Sequence, residues 1–469
     1  STRKAAENCS TFSSFLFAQI CPNVIAVMDA LRSIKSEKCL IKKLSLVKKV
    51  RASVNEASGD FHELDRTVIS EFVASLAFSG IPKDSVADEE REYTRSDFRG
   101  IAELATEGLL CARSLLERSP ASLENREVAT ALALVCFAHV DAEQPWCSES
   151  SSKASKGLLD FLVSSSASSG RLALAVLKHI QPKLKKDTWK KNPCYRHVYK
   201  NALYQLGDSE LSNALSLLLP PGLLLVDDYM THNQRLGIQC VQQIISKATP
   251  TELQWHGHFD VMFDALKRLL YVKEPDVITE LHSCLRRLLF GDSSEGLRLL
   301  HLKSEDCLRK GEEVYGELLT AAYAEQKFVL RTAYSSQLPA YIECLGINIV
   351  KHMSKTLDVV LDYVETYDTA EQASRRNGLL ALAALIRCAW PRISRHFRRI
   401  AECLFRLAYD LKEHDKGDLR GEIAACLLLL EAACQEQFIE FTKDLTSLQD
   451  KDIPGVALLL ECVNARQRE

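Results

Sequence analysis

Apolar residues recur at three- and four-residue steps along most of the chain. The segments "VMFDALKRLLYV" and "ITELHSCLRRLLF" both show these steps. Side chains spaced in this way lie on one face of an α-helix. The pattern therefore predicts amphipathic helices that each bury one apolar stripe. In the longest example, "YIECLGINIVKHMSKTLDVVLDYVETYD", the stripe consists of Ile342, Leu345, Ile349, Met353, Leu357, Val360 and Val364.

Start and stop signals separate these segments. Residues 249–252, Thr-Pro-Thr-Glu, combine an N-cap candidate, a proline at the first helical position and a capping-box glutamate. Thr231 and Gln234 suggest a second capping box. Trp390-Pro391 predicts that one helix ends and another begins, because the residue before a proline avoids the α region.

The helical segments occur in pairs of roughly 40 to 47 residues, a length typical of HEAT and armadillo-like repeats. We expect on the order of ten such pairs. The 19 glycines and 13 prolines are too few for a sheet-rich chain of 469 residues. The predicted fold is an all-α solenoid of antiparallel helix pairs.

Two polar stretches, residues 79–97 and 141–157, interrupt the helical pattern and are predicted to be surface loops. The second stretch also suggests a soft boundary. We expect N-terminal helical repeats over residues 1–150 and C-terminal HEAT-like repeats over residues 151–469.

Charge and cysteine content narrow the function classes. With 59 Lys and Arg against 62 Asp and Glu, the net charge is −3, so the globally basic footprint of a nucleic-acid-binding protein is absent. The 16 cysteines form no Cys-x-x-Cys pair, and most lie in apolar stretches, so we expect small buried thiols in a reducing compartment. We expect no signal peptide and no membrane span, which favours the cytoplasm and the nucleus.

An arginine-rich segment follows the Trp-Pro break. The apolar positions from Ile393 to Leu411 form one helix face, and arginines occupy the other face. We interpret the arginines as a solvated face, with a partner-binding patch as the alternative. The five arginines are Arg392, Arg395, Arg398, Arg399 and Arg406.

The stretch 183–200, "KLKKDTWKKNPCYRHVYK", interleaves Trp189, Tyr195 and Tyr199 with lysines and arginines. Rings among cations are typical of single-strand nucleic-acid binders. The same rings can instead anchor a turn on the helical core while the lysines are solvated, and we favour this second interpretation.

Signals for catalysis are isolated pairs of residues. The chain contains no phosphate-binding glycine loop, nucleophile elbow or kinase signature. Cys194 and His197 have no companion ligands, and Asp227 and Asp228 precede a predicted helix, where acids cap free N–H groups. We therefore expect no enzyme activity, no cofactor and no metal site.

Three blocks occur in order between about residues 181 and 393. They read "QPKLKKDTWKKNPCYRHVY", "LLLPPGLLLVDDYMTHNQRLGIQCVQQII", and "LRTAYSSQLPAYIECLGINIVKHMSKTLDVVLDYVETYD" followed by "CAWPRI". These blocks resemble the family of the second Tel-two-interacting protein, a HEAT-repeat subunit of the Triple T cochaperone complex. The first 150 or so residues contain no such block.

The resemblance implies a non-enzymatic scaffold that joins the Tel-two protein and the first Tel-two-interacting protein, both large helical-repeat subunits. It further implies that the complex works with the heat-shock chaperone machinery. The implied clients are phosphatidylinositol-kinase-like protein kinases, among them ATM, ATR and mTOR, which the complex matures and stabilises.

Polar and aromatic residues of the family blocks are candidate contact hot spots for the partners. Roughly half of them are expected to serve turns and hydrogen bonds within the repeats instead. Two alternative functions stay open: a karyopherin-like transport scaffold, and a nucleic-acid-associated solenoid that uses residues 183–200. The candidates are Trp189, Arg196, His197, Asp227, Asp228, Tyr229, Arg331, Tyr334, Tyr367, Asp368, Trp390 and Arg392.

Overall fold

The structure is a computed structural model of the chain. Its described residues form helices and turns, with no β-strand among them, and this confirms the predicted all-α class. The chain divides into two units, Ser1–Pro221 and Gly222–Glu469. The described residues are 22–56, 66–80, 93–119, 125–165, 168–255, 257–291, 305–411, 418–449, 453 and 455–464.

The first unit is built from helices that pack in two layers. Helix α2 packs on α4 and α4 on α6, while α3 packs on α5 and α5 on α8. This alternation is the arrangement expected of stacked helix pairs. The helices are α1 (Pro22–Ser36), α2 (Leu40–Glu56), α3 (Arg66–Gly80), α4 (Ile101–Arg118), α5 (Arg126–His139), α6 (Glu149–Ser165), α7 (Ser169–Ile180), α8 (Pro193–Tyr204) and α9 (Asp208–Ser212); α10 (Leu215–Val226) contains the border between the units.

The second unit repeats the two-layer arrangement. One layer contains α15, α18 and α21, and the other contains α11, α14, α16, α17, α19 and α22, each packed on the next. The helices are α11 (Thr231–Lys247), α12 (Pro250–Trp255), α13 (His258–Lys267), α14 (Pro275–Phe290), α15 (Glu305–Ala324), α16 (Phe328–Ser335), α17 (Leu338–Leu345), α18 (Met353–Glu365), α19 (Ala373–Cys388), α20 (Trp390–Ile393), α21 (Phe397–Asp410), α22 (Arg420–Ala433), α23 (Gln435–Leu448) and α24 (Val456–Asn464).

Hydrogen bonds between neighbouring repeats show the repeat length directly. The Tyr315 hydroxyl lies 3.0 Å from Thr356 Oγ1, and the Tyr363 hydroxyl donates to the Ala322 carbonyl at 3.0 Å, each across 41 residues. The hydroxyl of Thr332 lies 3.0 Å from that of Ser374, 42 residues away. These separations agree with the predicted helix-pair length of roughly 40 to 47 residues.

The capping predictions had mixed outcomes. The box at Thr249 and Glu252 is confirmed, because Glu252 Oε2 accepts from the Thr249 N–H at 2.9 Å and Thr249 Oγ1 accepts from the Glu252 N–H at 3.3 Å. The box at Thr231 and Gln234 is wrong. Helix α11 already includes Thr231, and the Gln234 amide donates instead to the backbone carbonyl of Asp228 at 2.8 Å.

The predicted loop at residues 141–157 is wrong beyond Ser148, because α6 begins at Glu149. Ser148 and Ser151 cap this start reciprocally, with each hydroxyl accepting from the other residue's N–H. Trp146 is buried and donates to the Ala138 carbonyl at 2.8 Å, which fixes the preceding turn. Of the other predicted loop, residues 81–92 lie outside the described part. The predicted boundary near residue 150 stays a prediction.

The described cysteines are free thiols, and most of them are buried. Burial raises the pKa of Cys111 to about 12, so this thiol stays protonated at neutral pH. The expectation of small buried residues is confirmed for these positions. Among the described helices, none combines the length and apolar character that a bilayer crossing requires.

Two helical glycines differ in the space around them and give opposite predictions. A Cβ at Gly237 would meet the Val226 backbone nitrogen at 2.5 Å, whereas a Cβ at Gly316 would have no neighbour within 4 Å. Gly237→Ala should therefore destabilise the chain by about 1–3 kcal/mol, and Gly316→Ala should stabilise it by about 0.5–1 kcal/mol. Denaturant unfolding followed by circular dichroism measures both changes, and a shift of the same sign in the two variants would contradict this packing.

Buried His282 predicts how stability depends on pH. Its Nδ1 lies 3.2 Å from the Tyr341 hydroxyl, and burial lowers the pKa of His282 to about 3. Because the unfolded chain binds this proton near pH 6.5, the stabilisation is complete above that pH and is lost on acidification at about 1.4 kcal/mol per pH unit. Between pH 6.5 and pH 5, the unfolding free energy should therefore fall by about 2 kcal/mol less in His282→Gln than in the unchanged chain.

The matched control for this measurement is His179→Gln, because His179 is exposed on α7. This variant should leave the pH dependence of the unfolding free energy unchanged. An equal slope in His282→Gln and the unchanged chain would show that His282 is not held neutral by burial.

Candidate partner-binding edge

In the second unit, short turns lead into α11, α14, α16 and α19, which lie in one layer. These turns are residues 227–230, 272–274, 325–327 and 366–372, and Asp410 ends helix α21. Ion pairs connect each turn region with the next, so the turns form one row. The pairs are Asp227–Arg268 at 3.4 Å, Lys273–Glu325 at 3.7 Å, Arg331–Asp362 at 3.0 Å and Arg375–Asp410 at 3.5 Å.

One exposed tyrosine lies beside each of these four turns, and a fifth lies next to Asp410. We call these five residues, together with the four turns, the tyrosine edge. A large exposed aromatic side chain is costly in water unless a partner covers it, and tyrosine is enriched at protein interfaces. The residues and their exposed fractions are Tyr229 (57%), Tyr271 (75%), Tyr323 (67%), Tyr367 (50%) and Tyr409 (55%).

Arg331 connects two neighbouring turns from a buried position. Its guanidinium donates to Asp362 Oδ2 at 3.0 Å and to the Glu325 carbonyl at 3.3 Å, and its Cζ lies 4.0 Å from the ring centroid of Tyr363. The planar guanidinium can satisfy a carboxylate, a carbonyl and a ring face at the same time. Arg331 therefore fixes the geometry of the third and fourth turns.

Arg375 takes the equivalent position one repeat later. It is buried and donates to the Glu365 carbonyl at 2.8 Å and to Gln372 Oε1 at 3.2 Å. Its Cζ lies 5.4 Å from the Tyr367 ring centroid, so one exposed member of the tyrosine edge rests against a buried cation. This contact limits the freedom of the Tyr367 ring.

Acidic side chains hold the turns themselves. Glu325 Oε1 accepts from the N–H groups of Gln326 and Lys327, both at 2.9 Å, and the hydrogen bond from Lys327 is the main cause that lowers the pKa of Glu325. Asp368 Oδ2 accepts from the Ser374 N–H at 2.8 Å. Asp228 Oδ2 accepts from the Asn233 amide at 2.6 Å, so all three acids organise the start of the following helix.

The sequence-based candidates separate by burial. Exposed candidates are Asp227, Tyr229, Tyr367, Trp390 and Arg392, and His197 is half-buried with its ring 5.4 Å from that of Trp146. The remaining candidates are buried, and their assignment as partner contacts stays a prediction. These buried candidates are Trp189, Arg196, Asp228, Arg331, Tyr334 and Asp368.

The row of turns brings together only part of the candidate set. Trp390 and Arg392 lie at the opposite end of α19 from Arg375, and therefore at the other edge of the stack. Trp189, Arg196 and His197 lie in the first unit. The candidates in or beside the row are Asp227, Asp228, Tyr229, Arg331, Tyr334, Tyr367 and Asp368.

Sequence reasoning missed Tyr271, Tyr323 and Tyr409. These residues lie outside the quoted family blocks, so the resemblance did not point to them. A signal was present in the sequence, because each tyrosine ends an apolar segment just before a polar stretch: "YVKEPD", "YAEQK" and "YDLKEHD". Their recurrence once per helix pair distinguishes them from scattered surface aromatics.

Two of the three rings in the basic aromatic stretch 183–200 lie in the helical core. Trp189 and Tyr199 are buried, and the Tyr199 hydroxyl donates to the Leu218 carbonyl at 2.6 Å. The rings anchor the segment on the helical core of the first unit, as the favoured interpretation expected. Stacking on bases would require both side chains to leave that core.

The arginine-rich segment forms the solvated face that was predicted. Arg399 pairs with Asp358 at 2.8 Å and Arg406 with Glu365 at 3.0 Å, each 41 residues earlier in the chain. Arg398 pairs with Glu402 at 2.8 Å within α21. These carboxylates neutralise part of the charge and connect α21 to α18.

No set of three or more His, Cys, Asp or Glu side chains in the described part of the chain is placed to hold a metal ion.

Comparison with known proteins finds a family that resembles part of this chain. Residues 181–369 match the model of the Tti2 family. TELO2-interacting protein 2 of Mus musculus is 31% identical over 318 residues, covering 63% of this chain and 61% of the relative. The Rattus norvegicus protein of the same name is 33% identical over 277 residues, covering 57% of this chain and 53% of the relative.

Residues 181–369, about two fifths of the chain, thus resemble the Tti2 family. It spans about three fifths of the length of the mouse relative, 61%. The matched Tti2 region contains four of the five members of the tyrosine edge, Tyr229, Tyr271, Tyr323 and Tyr367, while Tyr409 follows it.

Solved structures with similar folds are HEAT-repeat karyopherins. Kap121p bound to RanGTP matches with a TM-score of 0.55 at 14% identity, over 86% of this chain and 37% of Kap121p. Kap95p matches with a TM-score of 0.52 at 14% identity, over 94% of this chain and 57% of Kap95p. At this identity the likeness shows the α-solenoid fold alone.

Arg331 and Asp368 provide a test that separates structural from binding roles. Arg331→Met removes the buried cation that Asp362 and the Glu325 carbonyl share, and Asp368→Asn weakens the bond from Ser374. We expect Arg331→Met to cost about 2–4 kcal/mol of unfolding free energy and Asp368→Asn about 1 kcal/mol.

Urea unfolding and partner capture should be measured on the same preparations of the two variants. If the two residues are structural, partner capture should fall only in a variant whose folded fraction also falls. Full capture loss with an unchanged unfolding midpoint would instead place Arg331 or Asp368 in the binding surface.

Proposed function

We propose that this chain is a non-enzymatic scaffold subunit of the Triple T cochaperone complex. The observation that carries the proposal is the match of residues 181–369 to the Tti2 family. Its relatives in Mus musculus and Rattus norvegicus are named for interaction with TELO2. The proposed partners are the Tel-two protein and the first Tel-two-interacting protein.

The described surface supports a binding role. Solenoids of stacked helix pairs present long surfaces to other macromolecules, and the second unit carries a row of exposed aromatic side chains on turns held by buried arginines. Preorganised aromatic side chains are suited to binding because they lose little conformational freedom on association.

The proposal extends to the role of the assembled complex. We propose that it works with the heat-shock chaperone machinery to mature and stabilise phosphatidylinositol-kinase-like protein kinases of the ATM, ATR and mTOR class, in the cytoplasm and the nucleus. The support is the match of residues 181–369 to the Tti2 family alone, since this activity belongs to the whole assembly.

Tagged purification from the chain's own cells tests the proposed partners. We expect two large helical-repeat proteins to co-purify in near-equal molar amounts, with chaperones and the giant kinases in smaller quantity. Quantitative mass spectrometry of the purified material measures this stoichiometry. Recovery of nucleoporins and transport cargo without those two proteins would favour a karyopherin-like adaptor and contradict the proposal.

Rapid depletion of the chain tests the proposed kinase role separately. The kinase proteins should decline over hours to days while their messenger RNA levels stay constant, because newly made kinases would fail to mature. Restoring the unchanged chain is the control. Constant levels of newly synthesised kinases after depletion would rule out the maturation role while leaving the partner assignment standing.

A further inference from the structure

We propose that the tyrosine edge of the second unit docks an elongated α-helical-repeat protein, whose own helix ends pack between the five rings. This inference rests on the proposed scaffold function and assigns the surface and the kind of partner. The argument combines the spacing of the rings, the area that they expose and the way in which the edge neutralises its own charge.

The spacing of the rings matches a second helical stack. Neighbouring helices pack about 8–10 Å apart, so five rings at one per repeat extend over about 40 Å. A small ligand contacts one or two of these rings at most. A partner whose own helices stack at the same spacing places one helix end in each gap, so successive repeats make similar contacts along the whole edge.

The exposed area is sufficient to form most of one side of an interface. The five tyrosines are 50% to 75% exposed. At about 200 Å² for a full aromatic side chain, they offer about 600 Å² together. A standard stable interface takes about 800 Å² from each partner, so the rings and the turns around them reach that size.

The charge on the edge favours a protein partner without a strong charge of its own. Asp227, Glu325, Asp362 and Asp410 each pair with a cation from a neighbouring turn. A polyanion such as RNA, or an anionic membrane, would have to compete with these carboxylates for the arginines and lysines. A neutral helical surface leaves every ion pair in place and covers the rings.

The buried arginines make the edge rigid before binding. Arg331 and Arg375 attach successive turns to one another, and Arg375 also lies against the Tyr367 ring. A surface held in this way loses little conformational freedom when a partner binds, so more of the contact energy appears as affinity. Tyrosine is also among the residues most enriched at interface hot spots.

The test uses the full chain and two purified probes, the Tel-two protein and the first Tel-two-interacting protein. The variant is Tyr271→Ser with Tyr323→Ser, which removes the two most exposed rings of the edge. The control is Trp255→Ser, which removes a ring that is 81% exposed at the other ends of the helices. Affinity is measured by interferometry, and the unfolding midpoint by circular dichroism.

We expect the tyrosine variant to bind one of the two probes about 100-fold more weakly than the unchanged chain, since a hot-spot ring contributes about 1–2 kcal/mol. The tryptophan control should bind normally. Both variants should keep the unfolding midpoint of the unchanged chain, because these side chains are exposed.

Several outcomes would overturn the docking assignment. Normal binding by the tyrosine variant, or loss of binding in the tryptophan control alone, would move the interface elsewhere while leaving the proposed scaffold function intact. A dimer of the unchanged chain in light scattering that the tyrosine variant abolishes would make a second copy the occupant. Failure of the unchanged chain to bind either probe would overturn the proposed function together with the docking assignment.

Discussion

The second unit depends on buried guanidinium groups that connect one repeat to the next. A helix pair cannot bury its apolar face alone, so it must stack on its neighbours, and the polar groups at its helix ends must find partners where they become buried. Arg331 meets both requirements by donating to Glu325 and Asp362, and Arg375 does so through Glu365 and Asp410. Apolar packing brings the repeats together, and these contacts set how the turns align.

The same contacts explain why an edge of the stack can carry aromatic side chains. Turns are usually the mobile parts of a helical protein. Here Glu325 and Asp368 bind the backbone of their own turns or of the helix start that follows. The exposed tyrosines therefore project from a scaffold that is already ordered, and a binding partner does not have to order it.

The fold was predictable from the sequence because its signal is local. Apolar steps of three and four residues and the capping box at Thr249 identify helices without any tertiary information, and the pair length identifies the repeat. The helical start of α6 was missed because its serines resemble a loop in composition. Ser151 and Ser155 are buried in the packed structure, where small side chains allow close helix contact.

The candidate site was only partly predictable, since burial depends on the stacking. Arg331, Asp368 and Trp189 are of residue types that often form surface contacts. In the structure, however, all three side chains are buried. Tyr271, Tyr323 and Tyr409 become recognisable as one surface only when the turns line up in the stacked structure. The apolar pattern of a single helix does not show this alignment. The anchoring role of the stretch at 183–200 likewise becomes visible only in the packed structure, where the Tyr199 hydroxyl donates to the Leu218 carbonyl.

Hydrogen–deuterium exchange of the full chain, alone and in its purified partner complex, tests the assignment of the tyrosine edge most directly. If the edge carries the partner, added protection should concentrate in the turns at residues 227–230, 272–274, 325–327 and 366–372, with the α20 side unchanged. Added protection confined to the α20 side or to the first unit, with those turns unaffected, would contradict it.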